Sequence, residues 1–121
     1  MLDLAGMQNL ALRGGFYIAE IRIASQFLLD PLGRPATAQT VIRGSRFFIS
    51  LRDDLTEDEL SISLYHEILE AATVAAHNPL ESVLEFNEAE FERAAGSLHA
   101  RLGRATPERL NQMLAEFGFK D

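Results

Sequence analysis

The run His66-Glu67-Ile68-Leu69-Glu70 holds one histidine and two glutamates whose types and spacing suit a metal ion and the chemistry of its water. On an α-helix, positions four apart share a face, about 6 Å apart along the axis, so His66 and Glu70 can hold one cation between them. Glu67 stands about 100° round from His66, within reach of a metal-bound water without itself being a ligand. Two ligands at i and i+4 with a Glu at i+1 as general base is a division of labour suited to metal-assisted peptide hydrolysis. Zinc accepts carboxylate oxygen at about 2.0–2.2 Å, so Glu70 is chemically able to stand where a second histidine would otherwise serve. A carboxylate there makes the site more anionic, weakens the Lewis acidity of zinc and shifts preference toward harder ions such as manganese. The same pattern also occurs in acidic amphipathic helices whose charged face is simply solvated.

The helix that must carry these residues is legible around them. Thr56 followed by Glu59 has the spacing of a capping box, and Leu60, Leu64, Ile68, Ala71 and Ala75 recur at helical intervals. The pattern predicts a helix over 57–77, ended by Asn78-Pro79, because a residue before proline avoids helical dihedrals. Ile62, Tyr65, Ala72 and Ala76 make this helix apolar nearly all round, so His66 and Glu70 are expected to be partly buried, where charge needs a partner. Tyr65, one of two phenols with Tyr17, is expected to point into the core.

The elements before it read as a small sheet. Residues 2–12 have the pattern of a short apolar helix, ended by Gly14-Gly15; no phosphate-loop spacing follows that pair. In "FYIAEIRIA", Tyr17, Ala19, Ile21 and Ile23 alternate with Ile18, Glu20 and Arg22, as in a half-buried strand. "DPLGRPAT", residues 30–37, reads as a loop. "QTVIRGSRFFISL" reads as a hairpin turning at Gly44-Ser45. After the 57–77 helix, Asn87 with Glu90 marks a second capping box, with a stripe of Phe91, Ala94, Ala95, Leu98 and Leu102 and a stop at Gly103. Thr106-Pro107 starts a last helix, with Leu110, Met113, Leu114 and Phe117 as its apolar face and Gly118 as its end. Strands first and helices after predict an α+β fold over residues 1–121 as a single domain.

Composition narrows the function. Eighteen acidic against eleven basic residues give a net charge of −7, which argues against general nucleic-acid binding through phosphates. The charge is uneven: residues 1–52 carry six Arg and three acids, whereas 53–121 carry fifteen acids and five bases. With no cysteine, disulfides and Cys-based zinc or redox sites are excluded, and no apolar stretch approaches the roughly 20 residues of a membrane span. The start of the chain lacks the basic region of a signal peptide, so a cytoplasmic location is expected. No serine has a credible His/Asp constellation in the sequence.

From about residue 39 to 103 the chain resembles small zincin-like metallopeptidases of bacteria and their phages. The segment "TVIRGSRFFISLRDDLTEDELSISLYHEILEA" corresponds to their strand pair, acidic connection and active-site helix, and "FERAAGSLHARL" is similar to the helix that follows. "HEILEA" is close to a subgroup with His-Glu-x-x-Glu in place of His-Glu-x-x-His. The resemblance implies a minimal zincin: a small twisted, mostly antiparallel sheet, an active-site helix and two further helices. It carries His66 and Glu70 over as metal ligands and Glu67 as catalytic base. It implies a third ligand, usually histidine, three residues before the apolar residue that opens the next helix; counted back from Phe91, that position is Glu88.

Helical geometry leaves Glu88, Glu92 and His99 open as third ligands, since all three lie within about 40° of one another beside the apolar stripe. Glu88 and His99 stand about 16 Å apart along the axis, so they cannot serve together. His77 lies about 16 Å from His66 along its helix and suits a C-terminal dipole partner instead. Two functions follow from the resemblance. One is a zinc- or manganese-dependent peptidase, with the strand over 46–51 holding an extended peptide at the sheet edge and Arg46 and Arg52 flanking it. The other is a catalytically inactive zincin-like module that binds a protein partner in a bacterial or phage system.

Overall fold

The computed structural model describes residues 2, 4–24, 28–29, 35–36, 38–76 and 88–120, with 28–29, 35–36 and 88–90 as backbone only. Its architecture is α+β. The strands are β1 (Tyr17–Ala24), β2 (Leu28–Leu29), β3 (Pro35–Ala36), β4 (Ala38–Arg43) and β5 (Arg46–Arg52). The helices are α1 (Leu4–Met7), α2 (Glu57–Ala76), α3 (Glu88–Leu102) and α4 (Pro107–Glu116). Pro35–Ala36, within the expected loop, pairs antiparallel with Leu28–Leu29 as a two-stranded ribbon. A proline is tolerated there because it is the first residue of the strand.

β5 is the middle strand of the main sheet, in the order β1-β5-β4. Its Phe47, Ile49 and Leu51 are almost fully buried toward the helices, which is what a central strand requires. The antiparallel expectation holds for β4 and β5, joined by Gly44-Ser45 with Gly44 at φ +63°. A two-residue hairpin turn needs that positive φ to match strand twist. β1, by contrast, runs parallel to β5, so the sheet is mixed. The register also slips at Ala19: Ile18 pairs with Phe47, but Glu20 pairs with Phe48. This bulge puts Ile18 and Ile21 on the same buried face, where simple alternation predicts opposite faces.

The expected helix over 2–12 shortens to α1, a single turn. Asn9, at φ +67°, turns the chain out of it, and the Asn9 amide donates to Ile18 O while the Ile18 amide donates to Leu10 O. Leu10 and Leu12 are buried and Ala11 is exposed. That alternation is the signature of an extended segment laid beside β1, and a run of apolar residues this short satisfies either reading.

α2 begins as the capping box predicts: the Glu59 amide donates to Thr56 Oγ1 at 3.2 Å and the Thr56 amide to Glu59 Oε1 at 2.9 Å. Leu64, Tyr65, Ile68 and Ala72 then bury one long side against the sheet and α3. Thr56→Ala is expected to lower stability by about 0.5–2 kcal/mol, read as a lower urea midpoint at unchanged slope; an unchanged midpoint would mean the cap contributes nothing. The predicted end at Asn78-Pro79 and the Asn87 cap lie outside the described residues.

α3 runs back along α2, with Ser61 meeting His99 and His66 meeting Phe91. Gly103, at φ +89°, ends it. α4 starts on Thr106, whose Oγ1 accepts the Arg109 amide, with Pro107 in the first helical position. Leu110, Met113 and Leu114 are fully buried. Phe117 departs from the expected stripe: it lies just past α4, is 46% exposed and stacks on Phe119. Among the described residues, no helix is long and apolar enough to cross a membrane.

Candidate metal centre

α2 carries His66, Glu67 and Glu70 at its middle, where one flank faces the start of α3 and another faces β4. The His66 side chain is 16% exposed and lies nearly parallel to the Phe91 ring of α3, centroids 6.0 Å apart. Its Nε2 is 3.3 Å from Glu70 Oε2 and 3.9 Å from Glu67 Oε2. One ligand atom from each of the three residues fits within a 4.8 Å group. Two ligands of a tetrahedral ion with bonds of about 2.0–2.1 Å stand about 3.3–3.4 Å apart, so the His66–Glu70 separation suits one zinc-sized cation. The same separation also suits a charge-assisted contact between imidazolium and carboxylate.

Glu67 is the more enclosed carboxylate, its side chain 13% exposed against 36% for Glu70. Its Oε1 accepts a hydrogen bond from Thr40 Oγ1 of β4 at 3.1 Å, while Oε2 faces His66. The Thr40 hydroxyl gives this enclosed oxygen a hydrogen-bond partner in place of water. Sequence reasoning missed Thr40. Its signal is a single hydroxyl in the apolar phase of "AQTVIR", but that phase becomes visible only once the inward face of the strand is known.

The candidate third ligands separate. Glu88 lies in the first turn of α3, three residues before Phe91, and its side chain is outside the described residues. Because α3 runs opposite to α2, that turn approaches the Glu70 side of the cluster. Glu92 is exposed and is not in the group. His99 is drawn elsewhere: its Nδ1 is 2.9 Å from Ser61 Oγ, and its Nε2 is 3.6 Å from Asp58 Oδ1. Ser61 precedes His66 by roughly 7 Å along the helix, which removes His99 from the metal candidates. His77 lies outside the described residues.

Ser61, His99 and Asp58 thus form a grouping that the sequence concealed, since the three lie on two helices. It is not a nucleophilic triad. Ser61 is fully buried, and its Oγ accepts the Ala105 amide at 2.8 Å, which anchors the chain between α3 and α4. Arg104 donates to Asp58 and holds that carboxyl below its ordinary range. Tyr65 points into the core as expected and donates to Gly103 O at 2.9 Å, and burial pushes its phenol above the usual value.

Strand 46–51 does not lie at a sheet edge. β5 pairs on both sides, so its backbone groups are taken, and the edge beside α2 is β4. Arg52, expected to flank a peptide, is paired with Asp54. No protein-family description, curated protein or solved structure matches this chain.

Proposed function

We propose that this protein is a metal-dependent hydrolase of peptide bonds, with its centre at His66, Glu67 and Glu70. The observation that carries the reading is the convergence of one imidazole nitrogen and two carboxylates within 4.8 Å, on a helix face mostly withdrawn from water. His66 and Glu70 would hold a divalent cation, zinc or manganese, and the resemblance offers Glu88, in the first turn of α3, as the further ligand. A cation bound there would supply Lewis acidity for a peptide carbonyl and lower the pKa of water. Glu67 takes the proton from the attacking water and delivers it to the leaving amine. The substrate would lie extended along β4, an edge strand of the three-stranded sheet. A cytoplasmic location suits a chain without cysteine.

A second reading is favoured by one observation. The same side chains also tie α2 to its neighbours, His66 through Phe91 and Glu67 through Thr40. A catalytically inactive zincin-like module that binds a protein partner would keep those contacts for stability alone. Titration of the purified protein with zinc and with manganese, followed by calorimetry, separates the two. One ion per chain together with turnover of a mixed peptide library is the expected result. A protein that takes up neither ion stoichiometrically overturns the hydrolytic reading and leaves the binding module.

A further inference from the structure

We infer that Thr40 is a positioning residue for Glu67: its hydroxyl fixes the carboxylate so that one oxygen is held by the sheet and the other faces His66 and Glu70. The inference rests on the proposed hydrolytic role of Glu67.

The register of the sheet isolates this hydroxyl. Thr40 pairs with Ile49, which is 1% exposed on the helix-facing side, so Thr40 shares that face. Every other position of that face in β1, β4 and β5 is Ile, Leu, Phe or Ala. Packing alone would be served as well by valine, which has the same shape without the cost of a half-buried hydroxyl. The one polar side chain on the face meets Glu67 of α2 at 3.1 Å.

Threonine suits the task because it is β-branched. Its χ1 is restricted, and strand pairing with β5 holds its backbone, so Oγ1 is presented from a nearly fixed point. A glutamate has three side-chain torsions, and a helix constrains only the first of them strongly. The hydrogen bond from Thr40 narrows the orientations open to the Glu67 carboxylate while its other oxygen faces His66. Anchoring one oxygen to the sheet restricts that freedom before substrate arrives, and catalytic groups lose rate steeply when displaced. The anchor also sits on the strand proposed to pair with the substrate, so a peptide added to β4 comes into register with the base through Thr40.

The test compares wild type, Thr40→Val and Thr40→Ser, each first shown by circular dichroism and thermal melting to be folded. In the metal-free protein, side-chain ¹³C relaxation of Glu67 should report one ordered carboxylate in wild type and Thr40→Ser, and increased motion in Thr40→Val. Zinc affinity should be the same in all three. Turnover of a cleaved peptide should fall roughly 10–100-fold in kcat for Thr40→Val with KM little changed, and Thr40→Ser should recover most of it. A Glu67 side chain equally ordered in Thr40→Val overturns the inference, as does a kcat that survives the substitution. If wild type turns over no peptide, the hydrolytic reading fails, and the relaxation measurement still decides whether Thr40 orders Glu67.

Discussion

Glu67→Gln should leave the fold and metal stoichiometry intact and lower peptide turnover by about 10²–10⁴-fold, the range associated with losing a general base. The expectation follows from the two ends of this side chain. Oε1 accepts the Thr40 hydroxyl and Oε2 faces His66 at 3.9 Å. A glutamine can still accept from Thr40 through its amide oxygen, so the side chain keeps its anchor and nearly its shape. What it loses is the ability to take a proton near neutral pH. Steady-state kinetics on a cleaved peptide, paired with calorimetry of zinc binding, would separate these effects. Turnover near the wild-type rate would remove Glu67 as the base. Loss of the metal instead would make it a ligand.

His66→Ala should abolish stoichiometric zinc and manganese binding, whereas His99→Ala should bind as wild type does. The motive is the divergence of the two histidines in space. His66 Nε2 is 3.3 Å from Glu70 Oε2, while both His99 nitrogens are occupied at the Ser61 and Asp58 end of α2. Loss of a direct ligand should exceed the about 10–100-fold that loss of an outer-shell partner typically costs in affinity. His99→Ala should instead lower stability by roughly 0.5–1.5 kcal/mol, the usual net value of a hydrogen bond. Calorimetry and urea denaturation on both variants give the full contrast. Equal loss of metal from both substitutions would show that the ion sits somewhere other than beside His66 and Glu70.

Much of the helical half was legible before folding because its signals are local. Thr56 with Glu59 and Thr106 with Pro107 each place cap and helix within a few residues of one another, and both caps are formed. The approach of His66 to Glu70 was legible for the same reason, since helical periodicity alone brings positions four apart together. The sheet half was read less well. Period-two alternation carries no information about a bulge, so the inward turn of Ile18 was lost at Ala19. Nor does alternation distinguish Leu10 and Leu12 in an extended segment from the same residues in a helix, and α1 came out a single turn long. Phe117 fits the apolar stripe by spacing, yet the chain leaves the helix before it.

By itself, then, the sequence determined that a helix runs over about 57–77, of which Glu57–Ala76 is described, that Gly44-Ser45 turns a hairpin, and that one histidine and two glutamates share a stretch of helix face. Each depends on interactions between residues close in the chain, where geometry is set by backbone dihedrals and little else. Only the tertiary structure decided that β5 is the central strand rather than the edge, because strand order depends on which apolar faces the whole chain can bury together. That choice put β4 beside α2, and with it the Thr40 hydroxyl on Glu67, a contact between residues on different elements that no local period encodes. It also sent His99 to Ser61 rather than to His66: the antiparallel crossing of α2 and α3 sets which positions stand level, and that register comes from packing along the full length of both helices.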